Sequence, residues 1–410
     1  MSAGLPDLPV LTADDSMLSR KFGREVANYF SGSPLNRVSF LRSDQSFLSA
    51  AFAHPSTSFL LLDNYSPLAK DKSTLAYVSK EDIVPLTGSE PFKRSEEEQI
   101  KTFNSTVTQP LILFLGLDEK KPGFQYREYA GRPYFAIDVT PKGSIEEQAK
   151  SVIEAVKAKP DVTFLPGGRI VSLNAPEAAI YAQARALLDW NARNPFCGGC
   201  GSRTLSINAG TKRVCPPTDL AGVPEGGEAK QRPECPTRRG ISNLCFPRTD
   251  PTVIMAIVSA DGTKILLGRN KRYPPGWYSV LAGFLEPGES IEEAVRREAW
   301  EESGVTVGRV VLHSSQPWPY PANLMIGAIG QALPGGENIH LGNDPELETA
   351  RWYTFDEVRE AMESSKSAVF GAPVPESEVD KLRVPPATAI ANQLMAAVVD
   401  GWLNVNPPKI

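Results

Sequence analysis

The feature that most limits how this chain can fold is the stretch from 283 to 305, because its local signals define one helix. Ser290 and Glu293 have the spacing of a capping box, in which each side chain bonds the other's backbone N–H at a helix start. Gly304 suits the helix end, since glycine tolerates the left-handed conformation found there. The sequence therefore predicts a helix over 290–303. Its apolar face would consist of Ile291, Ala294, Val295 and Ala299.

Three glutamates crowd the second half of this predicted helix. Glu298 and Glu302 are four residues apart and share a face, and Glu301 lies beside them. The helix dipole disfavours negative charge near the C-terminal end. One interpretation is a solvated acidic face, in which Arg297 pairs with Glu301. The other is a site for Mg²⁺ or Mn²⁺, since these ions prefer hard oxygen ligands.

The spacing of the whole stretch resembles a known family signature. It follows G-x5-E-x7-R-E-U-x-E-E-x-G-U, with U a bulky aliphatic residue, at every fixed position from Gly283 to Val305. Only Ala299 is smaller than the residue usual at its place. This signature is typical of the Nudix hydrolases, which cleave a nucleoside diphosphate linked to another group. The resemblance implies an α/β fold, an α/β/α sandwich with a mixed sheet.

The five cysteines of the chain lie close together in the sequence. Cys197 and Cys200 form a C-x2-C knuckle, whose spacing lets two sulfurs bind one tetrahedral ion. Cys215 follows, and Cys235 is favoured as the fourth ligand because Cys245 lies in an apolar run that suits a core residue. Four thiolates leave no open position, so the pattern predicts a structural Zn²⁺. The alternative for any single cysteine is burial as a core residue. A zinc ribbon can also bind nucleic acid, although the basic residues of this segment are more simply explained as a solvated loop.

Two neighbouring segments narrow the resemblance. The four-cysteine segment resembles the zinc ribbon of the NADH pyrophosphatase subfamily, and residues 315–323 resemble that subfamily's SQPWPFPxS array. Residues 246–251 and 279–284 are also similar to it. Tyr320 stands where the subfamily has Phe and keeps a stacking ring. Asn323 stands where it has Ser, which changes the reach of the polar group.

The proline-rich array has a physical basis for binding a nucleotide. Its three prolines fix the backbone, so Trp318 and Tyr320 are presented rigidly and can stack on a flat base. Gln316 can hydrogen-bond an amide or a ring edge. A structural Pro-aromatic turn is the alternative. With the resemblance, the predicted substrate-binding residues are Phe246, Gln316, Pro317, Trp318, Pro319, Tyr320, Pro321, Ala322, Asn323 and Ala391.

The resemblance also implies roles at the catalytic metal. Glu301 would bind metal or act as general base, and Arg297 would orient Glu289 or Glu301. The implied catalytic residues are Arg297, Glu298, Glu301 and Glu302. The implied ligands of Mg²⁺ or Mn²⁺ are Ala282 through its carbonyl, Glu298, Glu301, Glu302 and Glu346, with Glu348 competing for the last place.

The remaining sequence suggests three parts. An N-terminal α+β domain would span 1–192, a zinc ribbon with a Pro/Gly-rich loop at 216–234 would span 193–248, and the Nudix domain would span 249–410. Apolar runs predict strands at 59–62, 111–115, 134–137, 252–259, 264–267, 307–313, 323–330 and 351–354. Further helices are predicted at 144–157, 174–191 and 388–403.

Charge and targeting signals limit the function and the location. A net charge of -5 argues against binding polyanions through bulk charge, although it allows a small nucleotide at a local site. The sequence has no long apolar segment that predicts a membrane span and no secretory signal at its N-terminus, so a cytoplasmic location is expected. A peroxisomal location is the alternative, although the last residues are not a clear address.

The resemblance implies one activity with two rivals. The expected reaction is hydrolysis of NADH, and less well NAD⁺, to nicotinamide mononucleotide and AMP by a homodimer. The first rival is the same chemistry on NAD-capped RNA or on another dinucleotide pyrophosphate. The second is a zinc-ribbon binding or scaffold protein without catalysis.

Overall fold

The computed structural model describes residues 6–7, 26–239, 246–287, 289–343, 346–365, 374 and 380–400. These residues fall into two compact units. The first unit holds the described residues of Ser33–Arg248 and Pro319–Ala322. The second holds those of Met1–Gly32, Thr249–Trp318 and Asn323–Ile410. None of the described helices has the length and apolarity needed to cross a bilayer.

The first unit contains a mixed sheet of seven described strands. They are β1 (Ser58–Asp63), β2 (Ser66–Ala69), β3 (Tyr77–Val78), β4 (Ile112–Asp118), β5 (Phe124–Tyr126), β6 (Tyr129–Asp138) and β7 (Thr163–Phe164). Their order is β4-β6-β1-β2-β7, with β3 beside β1 and β5 beside β6. Strands β1 and β6 are parallel, and the other pairs are antiparallel. The described helices are α1 (Gln45–Ala53), α2 (Lys80–Thr87), α3 (Glu96–Lys101), α4 (Glu146–Lys157) and α5 (Ala175–Arg193).

The strands and helices predicted for this unit are confirmed. The residues of their apolar patterns are the ones that are buried. The strands expected at 59–62, 111–115 and 134–137 are β1, β4 and β6. Helix α4 buries residues at helical spacing, namely Ala149, Val152, Ile153 and Val156, in the same core as Phe114 and Phe135 of the sheet. Helix α5 begins after Asn174, as its N-terminal proline predicted.

Two small hairpins follow helix α5. The first joins β8 (Leu205–Ile207) to β9 (Lys212–Val214), and the second joins β10 (Thr218–Asp219) to β11 (Lys230–Gln231). The second hairpin corrects the expectation of an irregular loop at 216–234. Asp219 fixes it, since its carboxylate accepts hydrogen bonds from the Ser105 and Ala221 N–H groups and from Arg232 at 2.8–3.0 Å.

The second unit contains a mixed sheet of six described strands. They are β12 (Asp250–Val258), β13 (Lys264–Asn270), β14 (Leu281–Phe284), β15 (Val307–Trp318), β16 (Asn323–Ala332) and β17 (Leu347–Thr354). Their order is β15-β16-β12-β13-β17, with β14 beside β12. Only the β12–β16 pair among these is parallel. The described helices are α6 (Ile291–Ser303), α7 (Phe355–Ser364) and α8 (Ile390–Val399).

Strand β12 shows why helices cover both faces of this sheet. Its side chains alternate between two cores, as the pleat of a strand requires. Val253, Met255 and Ile257 pack with Ala294, Val295 and Ala299 of α6. Ile254, Ala256 and Val258 pack with residues of α7 and α8 on the other face. The expected α/β/α sandwich with a mixed sheet is therefore confirmed.

Several elements of this unit differ from the prediction in extent or existence, including β14, which was not predicted, and β17, which begins at Leu347 instead of 351. Strand β15 continues to Trp318, five residues beyond the predicted end at 313, because it stays paired with β16 along its length. Helix α8 is shorter than the predicted 388–403, whose residues 401–403 lie outside the described part of the chain. Helix α7 was not predicted, although Thr354 and Glu357 form a capping box at its start.

Candidate active site and zinc site

Helix α6 begins and ends where its capping residues predict. The Ser290 hydroxyl accepts a hydrogen bond from the Glu293 N–H at 3.2 Å, and the Glu293 carboxylate accepts one from the Ser290 N–H at 2.8 Å. Gly304 follows the helix in the left-handed conformation, with φ of 75°. The apolar side of α6 is buried against β12, and the charged residues cluster in the second half of the helix, where Glu298 and Glu302 are also largely buried.

Arg297 is the organising residue of this charged cluster. Its guanidinium donates to Glu289, to Glu298 Oε1 at 2.9 Å and to Glu301 Oε2 at 2.8 Å. It also donates to the carbonyl of Phe284, the last residue of strand β14, at 2.8 Å. The sequence left open whether Arg297 pairs with Glu289 or Glu301, and the structure shows it contacting both.

Gly283 allows the Glu298 carboxylate to lie directly against strand β14. A Cβ atom at position 283 would stand only 2.0 Å from Glu298 Cδ, so no larger residue fits without displacing that carboxylate. Gly283 lies within β14. Ala282, its neighbour in the same strand, is half-buried.

The three glutamates of α6 differ in exposure. Glu302 is 4% exposed and the Glu298 side chain 13%, whereas the Glu301 side chain is 37% exposed. Burial raises the pKa of Glu298, and the charge and hydrogen bond of Arg297 oppose that shift. A buried carboxylate with a raised pKa gains stability from a nearby cation. The carboxylate oxygens of these glutamates are hard ligands, which Mg²⁺ and Mn²⁺ prefer.

The two competing carboxylates beyond α6 have different partners. Glu346 accepts a hydrogen bond from the neutral Asn270 amide at 2.9 Å. Glu348 instead pairs with the largely buried guanidinium of Arg269 at 2.7 Å. Releasing Glu348 would leave that arginine without its carboxylate, so Glu346 is the more available ligand.

Four cysteines meet in the ribbon. The sulfurs of Cys197, Cys200, Cys215 and Cys235 lie within 4.8 Å of one another, and among the described residues no other His, Cys, Asp or Glu group converges so closely. Cys197 and Cys235 are 3.5 Å apart, as are Cys200 and Cys215. Thiolates in this arrangement fit a tetrahedral Zn²⁺. Cys245 lies outside the described residues.

Gln316 lies at the centre of a buried network. It is 1% exposed, and its Nε2 donates to the carbonyls of Tyr29 at 3.0 Å and Thr388 at 2.9 Å. Its Oε1 accepts from the Ile390 N–H at 2.9 Å. The sequence predicted that this amide bonds substrate, but in the structure its polar atoms are already used.

The aromatic residues of the array also have partners. The Tyr320 hydroxyl accepts from the Ile170 N–H at 2.7 Å and donates to the Ile170 carbonyl at 3.1 Å. The Arg185 guanidinium lies 4.5 Å from the Tyr320 ring centre. The Trp318 ring meets the edge of Phe30 at 5.9 Å. Rings held in this way are rigid, as the prolines predicted.

The other predicted substrate residues differ in accessibility. Asn323 donates from its amide to the Thr252 hydroxyl at 3.0 Å. Phe246 is 46% exposed, and Pro321 is exposed too. Pro317 is half-buried, whereas Pro319, Ala322 and Ala391 are buried. Ala391 belongs to α8, and its side chain packs in the core on that face of the sheet.

Residues 28–30 support the array and were missed by sequence reasoning. The Asn28 amide donates to the Ser314 hydroxyl and the Ser315 carbonyl, both at 2.9 Å. These partners lie more than 280 residues away along the chain. No local pattern links two segments so distant, so no sequence signal could have found them.

Comparison with known proteins identifies the parts of the chain. Residues 248–371 match the NUDIX domain, residues 192–222 the NADH pyrophosphatase zinc ribbon domain, and residues 56–190 the NADH pyrophosphatase-like rudimentary NUDIX domain. The last match explains why a mixed sheet recurs in the first unit.

Curated relatives cover most of the chain. An NAD-capped RNA hydrolase of Schizosaccharomyces pombe is 36% identical over 92% of this chain and 94% of its own. The human NAD-capped RNA hydrolase NUDT12 is 34% identical over 93% of this chain and 75% of its own. The mouse mitochondrial NAD(P)H pyrophosphatase NUDT13 is 32% identical over 65% of this chain and 68% of its own. The chain therefore belongs to the Nudix hydrolases, in the group that carries the NADH pyrophosphatase zinc ribbon.

Proposed function

We propose that this enzyme hydrolyses the pyrophosphate bond of NADH, and less well NAD⁺, to nicotinamide mononucleotide and AMP. The observation that carries the proposal is the set of glutamates on α6, held by Arg297 against strand β14. The names of the relatives, NAD-capped RNA hydrolase and NAD(P)H pyrophosphatase, support a nicotinamide dinucleotide as substrate. The ordered, partly buried carboxylates argue against a scaffold protein without catalysis.

The reaction is a hydrolysis between two phosphates. Water attacks one phosphorus, a P–O bond forms, and the P–O bond to the bridging oxygen breaks. The bridging oxygen leaves with the other phosphate, so each product carries one phosphate. Divalent cations, when bound, neutralise the pyrophosphate and lower the pKa of the attacking water. Glu301, the most exposed glutamate of the three, accepts the proton and returns it to solvent.

The remaining side chains divide into metal-binding and positioning groups. Mg²⁺ or Mn²⁺ would be held by Glu298, Glu302, Glu346 and the Ala282 carbonyl. In the alternative to its role as base, Glu301 would be a fifth ligand. Arg297 positions Glu298 and Glu301 without touching the phosphates, since its guanidinium is occupied by carboxylates and a carbonyl. The four-cysteine Zn²⁺ is structural, because no ligand position is open.

Recognition of the two nucleotide halves belongs to the aromatic array. Trp318, Tyr320 and the exposed Phe246 supply rings for stacking, and Asn323 supplies an amide. The prolines Pro317, Pro319 and Pro321, with Ala322, fix their positions. For Gln316 and Ala391 burial favours a supporting role.

The same chemistry on NAD-capped RNA is the second candidate function. It is favoured by the relatives named NAD-capped RNA hydrolase, which match over nearly the whole chain. From the sequence patterns we also propose the domain division 1–192, 193–248 and 249–410, except that residues 26–32 lie in the second unit. From the family resemblance we propose a homodimer. We propose a cytoplasmic location from the clustered cysteines, since a zinc-binding thiolate cluster suits a reducing compartment.

Product analysis tests the proposed activity. The protein is incubated with NADH and Mg²⁺ or Mn²⁺, and the products are separated by chromatography. Equal amounts of AMP and reduced nicotinamide mononucleotide are expected. ADP-ribose with free nicotinamide would place the cleavage at another bond and contradict the proposal.

A matched pair of variants ties the activity to α6. Glu302→Gln should lose turnover while staying folded. Glu292→Gln changes an acid near the start of the same helix and should keep it. Equal activity in both variants would exclude Glu302 from the site.

A further inference from the structure

A cavity of about 880 Å³ lies wholly within the first unit. Its walls come from the segment 87–112, from the end of helix α5 and from the ribbon residues 203–213. A volume of this size falls in the range of small-molecule and nucleotide pockets, roughly 300–1,000 Å³. None of the residues proposed for catalysis or substrate recognition lines it.

The charge of the lining is positive, although the chain as a whole is acidic. Lys93, Arg94, Lys142, Arg203 and Arg213 face two acids, Glu90 and Asp138. Both acids are already compensated, since Glu90 pairs with Lys93 at 3.2 Å and Asp138 pairs with Lys142. Three arginines remain, and within the described residues no carboxylate lies at ion-pair distance from any of them.

Arg213 is the most buried of these arginines. Its guanidinium donates to the Asn191 Oδ1 at 2.9 Å and to the Thr204 hydroxyl at 2.7 Å and carbonyl at 3.1 Å, all neutral acceptors. Burial without a counter-charge lowers the pKa of Arg213 to about 10. A buried cation of this kind is stabilised by an anion entering the cavity.

An exposed aromatic ring contacts one of the arginines that line the cavity. Phe196 is 54% exposed, which is unusual for phenylalanine, and it pairs across a β-bridge with Arg203. The Arg203 guanidinium lies over the Phe196 ring, 5.0 Å from its centre. One face of the ring is thus covered by a cation that lines the cavity. Proteins that bind single-stranded nucleic acid combine such rings with basic grooves.

We infer that this cavity binds single-stranded RNA, with phosphates on Arg94 and Arg203, in the field of the Arg213 charge, and a base on Phe196. Single strands fit better than duplexes, because their unstacked bases can reach an aromatic ring. The identity of the RNA as the body of an NAD-capped transcript rests on the proposed function. The binding itself does not, and it can be measured without catalysis.

Direct binding is measured with an uncapped, 5′-phosphorylated, fluorescent ten-nucleotide RNA by anisotropy. The double variant Arg94→Glu/Arg203→Glu should weaken binding at least about tenfold and reduce the slope of log K against log salt by about 1.4, for two lost phosphate contacts. Phe196→Ala should weaken binding by about fivefold or more at unchanged salt slope. Arg213 is left intact, since its hydrogen bonds also support the fold.

A control separates the cavity from bulk charge. Lys72→Glu/Lys120→Glu makes the same change in net charge at two exposed lysines that do not line the cavity. It should bind RNA almost as well as the wild type. Equal losses in the two double variants, or no loss in either, would overturn the inference.

The length and kind of ligand are tested in the same assay. Affinity should rise from AMP to a ten-nucleotide strand, because added phosphates and bases add contacts. If AMP bound as tightly as RNA, the ligand of the cavity would be a mononucleotide, and the assignment to RNA would be overturned.

Kinetics then separate this inference from the proposed function. Arg94→Glu/Arg203→Glu should raise KM for NAD-capped RNA about tenfold and leave kcat and KM for NADH unchanged. An equal rise in KM for both substrates would contradict a separate RNA site. A wild type that does not hydrolyse NADH would refute the proposed function, and the anisotropy result would still decide the RNA site.

Discussion

Arg297 holds both carboxylate oxygens of Glu289, with Nε 2.5 Å from Oε1 and Nη2 2.8 Å from Oε2. The remaining donor, Nη1, reaches Glu298 and Glu301. A planar fork is needed to serve these partners at once, and lysine offers no such fork. Glu289 thus fixes the position of the Arg297 guanidinium, which in turn holds Glu298 and Glu301 of α6.

Arg297→Lys should lower kcat/KM for NADH roughly 10–100-fold, because it removes support from groups proposed to bind metal. The melting temperature should change little, since the charge is retained at a half-buried position. Arg296→Lys is the matched control, because the neighbouring Arg296 bonds only the Gly308 carbonyl among the contacts described. Similar kinetics for the two variants would show that Arg297 does not position the site.

The Arg297–Glu289 pair should also contribute to stability in a defined pH range. Hydrogen bonds from Arg297 lower the pKa of Glu289 from 4.5 to about 2. A depressed folded-state pKa stabilises the native protein above the unfolded-state pKa, and the contribution is lost as pH falls from about 4.5 towards 2. Denaturation by urea between pH 6 and 3 should therefore show a steeper loss in the wild type than in Glu289→Gln. Parallel curves for the two proteins would contradict this.

Gln316 offers a test between a structural and a substrate-binding role. Gln316→Ala would leave the Tyr29 and Thr388 carbonyls and the Ile390 N–H without their partner. We expect the free energy of unfolding to fall by about 1–3 kcal/mol, the cost of buried polar groups left unsatisfied. Urea denaturation measures this loss. Gln331→Ala, which removes an exposed hydrogen bond from the side-chain amide to the Ala260 carbonyl in the turn after β12, should cost less than half as much.

The kinetics of Gln316→Ala distinguish the substrate-binding role from the structural role. If Gln316 bonds substrate, as the sequence predicted, KM for NADH should rise while stability stays unchanged. If it joins residues 29, 388 and 390, stability should fall in the absence of substrate.

Local signals explain what could be predicted from the sequence. The capping box of Ser290 and Glu293 and the terminal Gly304 act within one helical turn, so they set the bounds of α6 directly. The alternation of β12 was hidden, because both of its faces are buried and the run is apolar throughout. The family signature supplied the sandwich that this run alone could not specify.

Contacts between distant segments explain what could not be predicted. The need for glycine at position 283 depends on the Glu298 carboxylate packing across β14. The partners of Gln316 lie 72–287 residues away, so spacing carries no information about them. The cavity of the first unit likewise joins residues that no periodic pattern connects.

The assignment of the fourth zinc ligand leads to a prediction with a natural control. Cys235→Ser should abolish stoichiometric zinc and lower the melting temperature strongly, because zinc binding and ribbon folding are coupled. Cys245→Ser should keep both the zinc and the stability. Metal analysis by mass spectrometry and thermal melting measure these outcomes, and zinc loss in the Cys245 variant instead would reverse the assignment.

Omitting Mg²⁺ should stop NADH turnover without lowering the melting temperature, whereas chelating Zn²⁺ should lower the melting temperature. Equal thermal destabilisation by the two treatments would show that the metals do not divide into structural and catalytic roles.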